Sequence, residues 1–308
     1  MLAAGAPGRG TATSDRGPRD RRVDHATDPD RSGAPLTEES PPAEWVTAAA
    51  QSMALEAPLA RFAEQGYARL GPVLTASGAE ALRGRAAEIM QGKLHDPGMF
   101  YQHDAPTGAY DDLAFNKGWV GPSPNYRKIE RLERDPLFLR WVENPFFARL
   151  TETVLGQGVQ LYRMVLWNKA PGGGMAVPWH QDDGRFWGLN QAPMLQVWTA
   201  LDDAPEASGC LEVVPGSHHP GLATPEGGTV TQACLQEADA EGRAVALPAR
   251  AGESVLVHNH VWHRTGRNQT PRPRRAISVS FLGPDVRCTR RRRAPRQFLK
   301  LFEARSEP

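Results

Sequence analysis

The sequence predicts a mainly β fold with flanking helices, a double-stranded β-helix or jelly roll of the cupin-like kind. Short β-branched and aromatic runs separated by Gly and Pro turns fill its second half, the signature of a sandwich or barrel. Helical patterns come ahead of those runs rather than between them. With 308 residues, 40% hydrophobic and 23% charged, the chain is long enough for one enzyme-sized core.

Met1 to about Pro42 is rich in Gly, Pro, Asp, Arg, Ser and Thr and has almost no large apolar residues. Such a stretch cannot offset its ordering entropy, so residues 1–42 are expected to be a disordered extension and 43–308 the folded domain. From Leu55 the pattern predicts a helical segment, a short strand over Tyr67 to Leu70, and a second helix. Ser77 is its expected N-cap, with Glu80 three residues on as in a capping box. Leu94 to Asn125, dense in Asp, Gly, Pro and aromatics, reads as an irregular loop that covers a site. Asp135 to Leu155 predicts a helical pair, with Leu137, Phe138, Trp141 and Val142 at helical spacing. The period then changes. Strands are expected over Gln160 to Asn168, Leu195 to Leu201, Leu211 to Val214, Ser254 to His258 and Ala276 to Leu282. The closing QFLKLFE reads as a short amphipathic helix.

Bulk charge singles out no partner, because 36 Lys and Arg face 35 Asp and Glu. Cys210, Cys234 and Cys288 show neither a zinc-knuckle spacing nor a disulfide framework, which fits a reducing cytoplasm. No run approaches the roughly 18 apolar residues that span a bilayer, and no signal-peptide core is seen, so no membrane association is expected. Arg287 to Arg296 holds six Arg in ten residues. Without interleaved aromatics it reads as a solvated segment or an anion-binding rim rather than a nucleic-acid surface.

The chemistry concentrates in VPWHQDDGRFWGL. His180 and Asp182 are two apart, and on a strand such residues project from one face and can meet one ion. A second histidine from VHNHVWHRTGRNQT would complete a 2-His-1-carboxylate triad that leaves coordination positions open. His258, His260 and His263 all compete for that place. A dianionic co-substrate chelated at such a metal needs a buried cation at its other end, and Arg supplies a planar fork for a carboxylate. Arg274 and Arg275, in PRPRRAISVSF, are the candidates, and only one of two neighbours on a strand can face inward.

These segments resemble the phytanoyl-CoA dioxygenase family of Fe(II)- and 2-oxoglutarate-dependent oxygenases. The resemblance rests on WHQDDGRFWGL, VWTALDDAPEASGCLEVVPGSH, AGESVLVHNHVWHRTGRNQTPRPRRAIS and FAEQGYARLGPVLTASGAEALRGRAAEIMQG. It implies Fe(II), 2-oxoglutarate and O2 as cofactors, with His180, Asp182 and His263 as metal ligands and catalytic residues. The family pattern places its distal histidine just before a (Ser/Thr)-Gly-x-Asn turn, which selects His263. It further implies that Arg274 takes the distal carboxylate of 2-oxoglutarate, helped by Thr265, that Trp198 lines the pocket, and that Lys128 binds the same co-substrate. Gln181 fits the pattern too, with its side chain pointing away from the metal. In this superfamily radical halogenases lack the carboxylate that Asp182 retains, so oxygenation is the expected chemistry.

The loop from Gly118 to Lys128 and the stretch past Gly283 are individual to this chain. Asp183, Arg185, Phe186 and Trp187 are expected to border a substrate cavity as readily as to form a solvated turn with one core aromatic. His218 and His219 are expected at the rim, and His95 and His103 in the aromatic loop. The overall likeness extends to oxygenases of antibiotic pathways, including those that close orthoester rings on oligosaccharides and aminoglycosides. A small-molecule secondary metabolite is therefore the expected substrate. An acyl-CoA-type hydroxylase and a non-catalytic jelly-roll binding protein are the competing readings.

Overall fold

The computed structural model describes residues 45–114, 118–290 and 296–302; the stretch 1–42 and residues 291–295 of the basic run lie outside these. The β-branched and aromatic runs form strands, in chain order β1 (Tyr67–Pro72), β2 (Phe100–His103), β3 (Tyr126–Glu130), β4 (Gln160–Lys169), β5 (Val177–Gln181), β6 (Leu195–Ala200), β7 (Leu211–Val214), β8 (Gly228–Thr229), β9 (Val245–Leu247), β10 (Glu253–Val257), β11 (Trp262–Thr265), β12 (Arg274–Leu282) and β13 (Leu299–Lys300). An eight-stranded sheet runs β1-β10-β6-β12-β4-β3-β2, with β13 also on β4, and a five-stranded sheet runs β8-β5-β11-β7-β9. From β4 to β7 and again from β10 to β12 the chain alternates between the two sheets. That winding is the double-stranded β-helix expected from the sequence.

The large sheet separates two apolar layers. Leu166, Val197, Leu256 and Ile277 pack outward on the helical layer with Leu82, Phe138 and Phe147. Trp198, Val255, Val257 and Ala276 point inward against Leu211 and Val213 of the small sheet. Successive residues of a strand thus enter opposite layers, and burial on both faces is why these runs read as nearly continuous apolar stretches.

Helices α1 (Ala48–Gln51), α2 (Glu56–Gln65), α3 (Ala76–Met90), α4 (Pro136–Val142) and α5 (Pro145–Leu155) follow the helical patterns. Asp135 and Asn144 cap α4 and α5 by accepting from Leu137 N at 2.9 Å and Phe146 N at 3.0 Å, and each helix has Pro in its first turn. The N-cap of helix α3 lies two residues before the expected one. Thr75, in extended conformation, accepts from Gly78 N at 3.3 Å, so Ser77 lies inside the first turn.

Two further expectations fail. The stretch taken as irregular contains β2, which pairs with β3 from Phe100↔Glu130 to His103↔Tyr126. In the tail, Leu299 and Lys300 pair with Leu161 and Gln160 as β13 instead of continuing as a helix. A segment this short gains little as an isolated helix, whereas a free flank on β4 offers ladder hydrogen bonds at once. Among the described residues no helix is long and apolar enough to cross a membrane.

Candidate active site

Strands β5 and β11 are antiparallel neighbours, and their register sets His263 directly opposite His180. Asp182 follows the end of β5, where Asn259 clamps its backbone. The Asp182 N–H donates to Asn259 O at 2.8 Å, and Asn259 Nδ2 donates to Asp182 O at 2.9 Å. Ligand atoms of His180, Asp182 and His263 all lie within 4.8 Å of one another. The two imidazole centroids are 4.0 Å apart, and His263 Nε2 is 3.7 Å from Asp182 Oδ2.

Each imidazole is oriented by its own strand. His180 Nδ1 faces Pro178 O at 2.8 Å and His263 Nδ1 faces Val261 O at 2.9 Å. A carbonyl only accepts, so the hydrogen sits on Nδ1 and each Nε2 presents a lone pair toward the cluster. Burial, reinforced by His263, brings His180 down to about 3. Burial alone would raise the Asp182 carboxyl. The Arg163 charge and the adjoining His263 outweigh it and hold the group well below the usual range. The site therefore offers a neutral His180 and an ionised Asp182 at neutral pH, a donor set suited to a divalent iron with open positions.

Two side chains that the sequence did not single out hold the carboxylate. Arg163 Nη2 donates to Asp182 Oδ1 at 3.1 Å and Gln196 Nε2 to Oδ2 at 2.9 Å. Gln196 Oε1 in turn accepts from Ser280 Oγ at 2.8 Å. Gln181 points away from the cluster, donating to His260 O at 2.7 Å and Gly221 O at 2.9 Å.

A cavity is lined by the three clustered residues together with Trp198, Thr265 and Arg274. Arg274 is 1% exposed. Its Nη2 donates to Gly209 O at 2.8 Å, while its Nε and the Thr265 hydroxyl are both buried with no hydrogen-bond partner. Burial lowers this guanidinium to about 10, so it stays charged at neutral pH. Orphaned buried donors are costly, and two on one cavity wall call for an anionic acceptor from outside the chain. Arg275 faces the other way, in a two-point pair with Asp202 at 2.7 and 3.0 Å.

Gly209 is fixed by this arrangement. It has φ of +71°, and a Cβ there would come within 2.1 Å of Gly266 O. Gly209→Ala is expected to cost at least about 1 kcal/mol in backbone strain and to push the Arg274 acceptor out of place. The prediction is a lower Tm together with weaker 2-oxoglutarate binding, read by thermal denaturation and calorimetry.

Lys128 is placed differently from the other expected residues. It does not line the cavity; its ammonium pairs with Glu130 and lies 5.3 Å from the Trp167 ring centroid. Arg127 and Lys169 are the other cations on the wall. Lys169 is the cross-strand partner of Arg274 and donates to Met175 O, and burial, with Arg274 next, pulls its ammonium well below the ordinary lysine range.

The competing histidines point elsewhere. His260 Nε2 contacts Asp183 Oδ2 at 2.8 Å, and His258 packs between Phe62 and His218 at 5.8 and 4.8 Å. His218 is buried rather than at the rim, with Nε2 facing Ala63 O at 3.1 Å. His95 and His103 pack in an aromatic cluster with Trp119 and Tyr126. Asp183, Arg185, Phe186 and Trp187 do not line the cavity. Arg185 pairs with Glu226 in solvent, and Trp187 stacks on Tyr162 at 4.2 Å.

A double-stranded β-helix with this donor cluster and a buried, carboxylate-free arginine on one cavity defines the class of non-haem iron, 2-oxoglutarate-dependent oxygenases. Comparison with known proteins agrees. The profile of the phytanoyl-CoA dioxygenase (PhyH) family matches residues 62–276. Phytanoyl-CoA dioxygenase domain-containing protein 1 of Danio rerio is 27% identical over 256 residues, spanning 72% of this chain and 88% of the relative. The peroxisomal phytanoyl-CoA dioxygenase of Mus musculus is 25% identical over 237 residues, spanning 74% and 68%. Among solved structures, the epimerase SnoN in complex with Fe3+, alpha ketoglutarate and nogalamycin RO superposes with a TM-score of 0.61 at 20% identity, covering 80% of this chain and 98% of SnoN. EctD from S. alaskensis with 2-oxoglutarate and 5-hydroxyectoine gives 0.62 at 21% identity, covering 91% and 95%. At these identities the structural likeness speaks to the fold. The chain belongs to the phytanoyl-CoA dioxygenase family and is a non-haem Fe(II)/2-oxoglutarate dioxygenase.

Proposed function

We propose that the protein oxidises an unactivated C–H bond of a small-molecule secondary metabolite, of the sugar or aminoglycoside kind, by hydroxylation or ring closure. His180, Asp182 and His263 would hold the iron, and Arg274 with Thr265 would take the distal carboxylate of 2-oxoglutarate beside the Trp198 ring. The observation that carries this reading is the pair of unsatisfied buried donors on Arg274 and Thr265, which share one cavity with the His-Asp-His cluster. Bound iron and 2-oxoglutarate supply the oxidising power, consuming O2 and releasing succinate and CO2 for each substrate oxidised.

The chain's own groups do the positioning. Nδ1 contacts to Pro178 and Val261 aim the imidazoles, Arg163 and Gln196 keep Asp182 ionised and oriented, and Arg274 orients the co-substrate. Apolar walls from Trp198, Leu211 and Val257 limit water. Support for the substrate class comes from solved neighbours, among them a carbocyclase and an epimerase from nogalamycin biosynthesis. Three unpaired cysteines suit a reducing cytoplasm.

An acyl-CoA substrate is the second reading, favoured by the names of the curated relatives. Succinate release in the presence of Fe(II), 2-oxoglutarate and O2 decides between them. Stimulation by sugars or aminoglycosides is the expected result, and stimulation by acyl-CoA esters alone would shift the assignment. No succinate with any substrate, and no bound co-substrate, would leave a binding protein.

A further inference from the structure

We infer that Lys128, Glu130 and Arg163 form a charge ladder that positions Asp182 for metal binding, and that Lys128 serves this ladder rather than the co-substrate. The inference rests on the reading of Asp182 as a metal ligand.

Strands β3 and β4 are antiparallel neighbours, with Lys128 opposite Trp167 and Glu130 opposite Val165. The period of two puts Lys128, Glu130 and Arg163 on one face of this pair. Arg163 Nη2 reaches Asp182 Oδ1 at 3.1 Å, and its Nη1 reaches Glu130 Oε1 at 3.7 Å. Lys128 Nζ meets that same Glu130 oxygen. None of the four side chains is more than 17% exposed. The guanidinium is held from another side by the Trp187 ring, 4.5 Å from Cζ, which is itself stacked on Tyr162.

The signs alternate along the ladder, and buried charges need that compensation. Glu130 and Asp182 both compete for Arg163. Lys128 satisfies Glu130, so the shorter contact of Arg163 goes to Asp182. Without Lys128, Glu130 draws Arg163 toward itself and the Asp182 carboxylate loses its tether. Lys128 therefore acts on the metal ligand at two removes, through Glu130 and Arg163, and all three are positioning residues.

The test is anaerobic calorimetry of Fe(II), and of 2-oxoglutarate at saturating Fe(II), on the full chain as wild type and as Arg163→Met, Arg163→Lys, Lys128→Met and Lys128→Met/Glu130→Gln. Loss of an outer-shell partner of this kind typically weakens metal binding roughly 10–100-fold, which is the expectation for Arg163→Met. Arg163→Lys recovers part of the loss. Lys128→Met weakens Fe(II) binding less, and adding Glu130→Gln restores it because the competitor is gone. A merely structural role for Lys128 would not show that rescue. The ladder is overturned if Arg163→Met, or Arg163→Lys should the methionine variant not fold, binds Fe(II) like wild type. It is equally overturned if Lys128→Met weakens 2-oxoglutarate and not Fe(II), or if the double variant is no better than Lys128→Met. Wild type that binds no Fe(II) would instead sink the metal reading, and the ladder with it.

Discussion

Asp182→Ala loses tight iron binding and, with it, succinate formation. The carboxylate is the anionic member of the cluster, and its removal leaves two imidazoles beside the positive Arg163. Deleting a ligand should cost more than the roughly 10–100-fold typical of an outer-shell change. The same substitution strands a buried guanidinium that had been paired at 3.1 Å. Breaking a buried pair commonly costs about 3–5 kcal/mol, although Glu130 at 3.7 Å recovers part of it here. Asp182→Asn separates the two effects: it keeps the shape and an acceptor for Arg163 but removes the charge. Iron content after reconstitution, together with the melting temperature of the metal-free protein, checks both. Full iron loading of Asp182→Ala would refute the ligand assignment.

Arg274→Ala is expected to weaken 2-oxoglutarate by at least about 100-fold, since charge-assisted hydrogen bonds to a carboxylate contribute roughly 1.5–3 kcal/mol each and about 1.4 kcal/mol is tenfold in affinity. Fe(II) affinity should hardly change, because Arg274 is not among the clustered ligand atoms. Arg275→Ala provides the contrast. It breaks the two-point pair with Asp202 and should lower stability while sparing the co-substrate. Because burial depresses the Arg274 guanidinium only to about 10, its contribution should persist across neutral pH and fade as pH rises toward 10. Calorimetric titration of 2-oxoglutarate at saturating iron measures this. Loss of co-substrate binding in Arg275→Ala with Arg274→Ala unaffected would move the role to Arg275.

The jelly roll was legible because its strands are buried on both faces, so β6, β7, β10 and β12 announce themselves as short apolar runs. Strand β2 was not, since Phe100 to His103 lies among Asp, Gly and Pro and gains its extended form only from pairing with β3. The tail strand at Leu299 and Lys300 was hidden for the same reason, its partner being far away in sequence at Leu161 and Gln160. Helix α3 was found but its cap was misplaced, because Thr75 and Ser77 are both capping types and backbone conformation decides between them.

The site divides along the same line. The spacing of His180 and Asp182 put them on one face, the family resemblance selected His263 over His258 and His260, and the register of β5 with β11 sets it opposite His180. Strand alternation foretold that one of Arg274 and Arg275 faces inward, and the Asp202 pair takes the other. Arg163 and Gln196 escaped notice because nothing local marks a polar residue on a buried strand as the partner of a carboxylate across the barrel. Glu130 escaped for the same reason, and with it the ion pair that takes Lys128 away from the cavity wall.

The central claim is that one cluster holds a metal on which co-substrate binding depends. Calorimetric titration of 2-oxoglutarate into the anaerobic protein, with and without Fe(II), tests it most directly. Binding at one site per chain that requires Fe(II) is the expected result; equal affinity in the absence of metal would contradict it.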